Sequence, residues 1–188
     1  LDLKNPEHRE LARTLALEAD VLVENNRPGV MDRLGLGWES FRDLKPSLVY
    51  CSISAFGQSG PRASGGGFDL TIQAAAGVMS VTGEPDGAPV KCGVPVSDFT
   101  AGLYAAFSIA SMLARVKSGG KGGHLDVPMF ATTIAIGALQ TSEYFGTGVN
   151  PVRMGSAHPR NAPYQAFRAR DGWFAVAAGN DRLWGAGC

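Results

Sequence analysis

A chain of 188 residues with 17 basic and 17 acidic side chains is electrically neutral, so it lacks the excess positive charge on which nucleic-acid binding draws. Its 45% hydrophobic content suffices for a substantial core, and without an unbroken apolar run of about 18 residues no membrane span is expected. The widely spaced Cys51, Cys92 and Cys188 fit no zinc or redox pattern. They read as buried reduced thiols of a cytoplasmic protein, a location that no signal-peptide pattern opposes.

Asn5-Pro6-Glu7 is a helix start, with Leu11, Leu15 and Ala19 forming a stripe along the helix that follows. Val21-Leu22-Val23 is a short buried strand of the parallel kind. The polar stretch Glu24 to Gly29 then falls at the strand's carboxyl end, where open α/β sheets bind ligands, although a plain polar turn fits the pattern equally. Short helices are expected over Val30 to Leu34 and Trp38 to Leu44, and a strand over Leu48 to Ser54. Gly57 to Gly67 is rich in chain breakers, either a surface loop or a flap over a site. A helix from Phe68 to Ala76 puts the carboxylate of Asp69 near its start.

The segment from Pro89 to Ala106 carries the most chemistry. An extended run broken by Pro89 and Pro95 delivers Asp98 to the beginning of a helix, along which Leu103, Phe107, Ala110 and Ala114 recur at the spacing of one face. Helix capping alone explains an Asp there. Gly102 in the same first turns is costly to a helix by about 1 kcal/mol, which makes sense if a ligand or another chain approaches closely. Gly119 to Gly123 reads as a helix stop and not a phosphate cradle, because it follows a helix. His124 to Val127 is a strand whose His124 and Asp126 are structural, and Pro128 opens a long helix through Tyr144. Beyond a loop from Gly146 to Pro163, Tyr164–Arg168 and Trp173–Ala177 form a hairpin around Asp171-Gly172. The alternation of helix and strand makes an α/β fold, a fragment of a Rossmann-like large domain with mostly parallel strands leading into a small α+β domain. Residues 1–145 are assigned to the first and 146–188 to the second. The abrupt ends are those expected of a piece of a longer protein.

Several ordered motifs resemble those of the class III CoA-transferases, the family of formyl-CoA transferase and carnitine CoA-transferase, with α-methylacyl-CoA racemase as a relative. They are Leu1-Asp2-Leu3-Lys4, Ala19 to Asn25, Arg27-Pro28-Gly29, Asp32-Arg33-Leu34-Gly35, Ser54-Ala55-Phe56-Gly57, Asp98 with Gly102, Ala162 to Phe167, and Ala178 to Asp181. The resemblance implies an interlocked homodimer acting on an acyl-CoA and a small carboxylic acid, with coenzyme A as substrate and product and no tightly bound cofactor or metal. It implies Asp98 as the catalytic residue that carries CoA as an aspartyl thioester, supported by Asp69 and Gly102. It places Leu1, Lys4, Asn25, Asn26, Arg33 and Met129 on the CoA path, Asn26 replacing the family's usual aromatic. Phe68-Asp69 stands where the racemase has His-Asp, and phenylalanine cannot be a base, so transfer is favoured over racemisation. Gly155 to Pro159 stands in place of the formyl-CoA enzyme's glycine-rich lid, which points to another acid, such as a dicarboxylate like succinate. The non-enzymatic alternative is an inactive relative that only binds CoA or builds an oligomer.

Overall fold

A computed structural model describes residues 1–187. Asn5 opens helix α1 (Pro6–Glu18) by accepting hydrogen bonds at Oδ1 from the Glu7 and His8 amides, at 2.8 and 3.4 Å. Lys45 closes the other end of α1, its Nζ donating to the carbonyls of Leu17 and Ala19. The chain then enters β1 (Val21–Glu24), which pairs in parallel with β2 (Val49–Ser54), itself paired in parallel with β3 (Gly123–Pro128). The sheet order is therefore β1-β2-β3, with β2 in the middle.

Successive side chains of β2 serve opposite faces, and this builds two cores. Tyr50, preceded by Leu48, packs with Ala16, Leu36 and Phe41. Cys51 packs on the other side with Ile72, Ala101, Ala105 and Met129. Helix α1 and the segment after β1 cover the first face, while α3 (Asp69–Ala75) and α5 (Val96–Lys117) cover the second. The α/β expectation with a parallel sheet holds.

Local differences from the sequence reading have identifiable causes. After α2 (Val30–Arg33), the helix expected over Trp38–Leu44 is only a 3₁₀ turn at Trp38–Ser40, because Phe41 leaves the helical path to become fully buried. Helix α4 (Val78–Val81) is a short addition after α3. At the end of α5, Gly119 adopts φ +87° as the helix stop, and Gly122 passes so close to the Leu48 carbonyl that a side chain would collide with it. The single helix expected to Tyr144 is two, α6 (Met129–Ile136) and α7 (Ala138–Thr147), meeting at Gly137. Thr132 and Thr133 both donate to the Met129 carbonyl, a bonding pattern that bends helices. The hairpin β4 (Tyr164–Arg168) and β5 (Trp173–Ala177) forms as expected, followed by α8 (Asp181–Gly187).

The apolar stripes lie elsewhere than a core reading would put them. In α1 the inward residues are Ala12, Ala16 and Leu17, while Leu11 and Leu15 reach solvent. In α5 the inward residues are Ala101, Ala105 and Ile109, whereas Leu103 and Phe107 are 71% and 73% exposed. The alanines on these inward faces let each helix lie close to the sheet, and several of the larger side chains stay outside. Among the described residues α5 alone is long and apolar enough to cross a membrane by length and composition, with mean hydropathy 1.4. Its small-residue face nevertheless packs on β2 and β3. Cys51 is buried and unpaired, with burial pushing its thiol up to about 11, further helped by the charges of Glu24 and Asp126. Cys92 corrects the expectation, being only half-buried because it lies on the segment leading into α5, and Cys188 lies outside the described residues.

Candidate active site

The residues that follow the three parallel strands, Asn25, Ala55 and Met129, all line one cleft of about 700 Å³. This is the carboxyl edge of the sheet, the usual ligand crevice of an open α/β fold. Asn25 Nδ2 donates to the Ile53 carbonyl at 2.7 Å, clamping the end of β1 to β2. Glu24 accepts from the Asn26 amide at 2.7 Å and so fixes the turn that presents Asn26 and Arg27 to the cleft. Met129 is buried in the core yet borders the cleft at the start of α6. Across from these residues stand Gly65, Gly66 and Gly67, then Phe68, then Asp98 and Gly102 of α5.

Asp98 is not the helix cap: Pro95 occupies that position, and Asp98 is the third residue of α5, in its first turn. Its side chain is free to reach the cleft, since Ser97 and Thr100 take the buried positions around it. Although the residue is exposed, partial loss of water around its carboxyl group, and then the negative charge of Asp69, raise the carboxyl pKa from its ordinary value. Gly102 lies one turn further on, and a Cβ there would meet open space, so its gap belongs to the cleft and not to a packed neighbour.

Asp69 stands behind the cleft wall. It is the first residue of α3, and it does not cap its own helix, because both carboxylate oxygens are otherwise engaged: Oδ1 accepts from the Ser97 amide at 2.9 Å, and Oδ2 from Gln73 Nε2 at 2.7 Å. Leu1, Lys4 and Arg33 do not line the cleft. Their segments meet elsewhere, since Leu3 packs in the same core cluster as Met31 and Leu34, neighbours of Arg33 in sequence. His124 and Asp126 are structural, as expected. His124 Nε2 is 2.9 Å from Ser52 Oγ, and Asp126 accepts from the Gln58 amide at 2.8 Å. Among the described residues no group of His, Cys, Asp and Glu is arranged to hold a metal.

Two cleft residues escaped the sequence reading of the site. Arg27 lies against the glycine loop, where a Cβ on Gly66 would come within 3.1 Å of its guanidinium, and it forms no ion pair among the described residues. Its place directly after Asn25 and Asn26 was the available signal. Phe68, 83% exposed at the mouth, was read only as a missing base.

A parallel sheet with a carboxylate-bearing cleft at its carboxyl edge places the chain among the open α/β proteins, in which that edge is the usual ligand crevice. The chain belongs to CoA-transferase family III, which it matches across residues 1–188. It is 42% identical to a succinate–glutarate CoA-transferase from Agrobacterium fabrum, over 96% of this chain and 45% of that protein. It is also 42% identical to an acetyl-CoA:oxalate CoA-transferase from Acetobacter aceti, over 100% of this chain and 49% of that protein. Among solved structures, a CaiB/BaiF family protein from Brucella suis superposes with TM-score 0.87 at 44% identity, covering 98% of this chain and 49% of that one. The chain thus spans about half the length of the curated relatives it matches.

Proposed function

We propose that the protein containing this chain transfers CoA from an acyl-CoA donor to a carboxylic acid, with Asp98 as the covalent carrier. The observation that carries this reading is the cleft itself, which brings Asp98 and Gly102 of α5 together with Asn25 after β1 and Met129 at the start of α6. An Asp98 oxygen attacks the thioester carbonyl, the C–S bond breaks, and CoA leaves as a thiolate while the donor's acyl group stays on Asp98 as a mixed anhydride. The thiolate then attacks the aspartyl carbonyl, releasing the donor's carboxylate and leaving CoA on Asp98 as a thioester. The acceptor carboxylate reverses both steps and leaves as the new acyl-CoA, restoring Asp98. Covalent catalysis of this kind divides one hard exchange into easier acyl transfers. Backbone amides of the glycine loop beside the carbonyl are suited to hold the developing oxyanion.

Leu1, Lys4 and Arg33 form a flank for the nucleotide end of CoA, and Asn25, Asn26 and Met129 line the path of its pantetheine arm. Arg27, without an acidic partner, offers a positive charge to an anionic part of a substrate. The acceptor is a dicarboxylic acid, a choice favoured by relatives named for succinate, glutarate and oxalate transfer. Two subunits associate as a homodimer, which would cover the apolar outer face of α5. The protein acts in the cytoplasm. Incubation of the full-length protein with acyl-CoA is expected to yield an adduct at Asp98 that hydroxylamine or borohydride traps. Asp98→Ala should abolish exchange while CoA binding persists. Full exchange by that variant would refute the carrier role, and α-proton exchange without an acceptor acid would favour racemisation instead.

A further inference from the structure

Gln73 lies outside the cleft, yet it is fully buried and uses both ends of its amide. Its Nε2 donates to Asp69 Oδ2 at 2.7 Å, while its Oε1 accepts from the Cys92 amide at 2.8 Å. The other Asp69 oxygen accepts from Ser97, the residue immediately before Asp98. The lead-in to α5 is thus pinned at Cys92 and at Ser97, on either side of Gly93, Val94, Pro95 and Val96. Both pins converge on one buried side chain and its acidic neighbour. Gly93 and the exposed Val94 bury little that would otherwise hold this segment in place.

We propose that Gln73 is a positioning residue for the transfer reaction: through Asp69 and Cys92 it fixes where the first turn of α5 presents Asp98. The inference rests on Asp98 being the carrier, and it assigns Gln73 no contact with substrate. A leucine there removes one donor and one acceptor, leaving Asp69 Oδ2 and the Cys92 amide unpaired. A misplaced nucleophile is penalised in the chemical step more than in binding. Gln73→Glu is the sharper probe, because a protonated carboxyl supplies the same one donor and one acceptor, whereas an ionised one repels Asp69. The titratable and charged groups around this position are Asp69 on α3, Lys91 and Cys92 on the lead-in, where Lys91 Nζ donates to the Cys92 carbonyl at 3.1 Å, and Asp98 on α5. Neither α4 nor α6, which pack against α3, carries any.

In the full-length protein, Gln73→Leu is expected to lower kcat by about 10- to 100-fold with little change in KM for acyl-CoA. Hydrogen exchange at the Cys92 and Ser97 amides should accelerate. For Gln73→Glu, kcat relative to wild type at the same pH should rise as pH falls and the new carboxyl becomes protonated. A folded Gln73→Leu protein with unchanged kcat, or a Gln73→Glu ratio independent of pH, overturns the proposal. Should Asp98→Ala retain exchange, the carrier reading falls by itself. The anchoring is then judged by amide exchange in Gln73→Leu, where unaltered Cys92 and Ser97 overturn it and faster exchange upholds it.

Discussion

Asp98 illustrates how a residue's neighbours set its chemistry. A carboxylate in the first turn of a helix is normally favoured in its charged form by the helix dipole, but here the partial loss of water and the Asp69 charge dominate and raise its pKa. Because attack requires the ionised form, the acid limb of the pH–rate profile is expected above the ordinary aspartate range, and Asp69→Asn should move it down. The same shift has a stability sign. A carboxyl whose folded pKa is raised contributes stability below its unfolded pKa and loses it as pH rises through the folded value. At neutral pH, Asp98→Asn should therefore unfold at the same temperature as wild type or higher. The difference should vanish in acid, where both side chains are neutral, as thermal melts at the two pH values would reveal. The place of Asp98 at the start of a helix, one turn from a glycine, was legible in the sequence. That Arg27 lines the cleft was not, because an arginine after a strand reads the same whether it faces a cleft or bulk water.

Helix α5 does two jobs with two faces. Its inward face is made of small residues that approach the sheet, and its first turns present Asp98 and Gly102 to the cleft. Since a Cβ at Gly102 meets nothing within 4 Å, Gly102→Ala should stabilise the ligand-free protein by about 1 kcal/mol through helix propensity. The same methyl group should weaken CoA binding by filling the gap, which titration calorimetry would detect; unchanged affinity would mean that no ligand uses that space. The leucine and phenylalanine spacing correctly marked a helix but not which side was buried. Periodicity reports that a face is apolar, and only the packing partner decides whether it is the inner one.

For the molecule as a whole, large apolar side chains stand exposed on several elements, and Leu103 and Phe107, one turn apart on α5, share one helix face. If a second subunit covers this face, Leu103→Glu combined with Phe107→Glu should shift the full-length protein from dimer to monomer in sedimentation velocity. A dimer that persists would assign the face to the remainder of the same chain. What the sequence alone determined was the alternation of helix and parallel strand, the hairpin, and a carboxylate at the start of a helix, because periodicity, proline and glycine encode local geometry. The tertiary structure decided which helix face is inner, that Lys4 and Arg33 do not line the cleft, and that the buried Gln73 bonds to both Asp69 and the Cys92 amide. Those facts depend on contacts between residues far apart in the chain, and no local pattern carries that information.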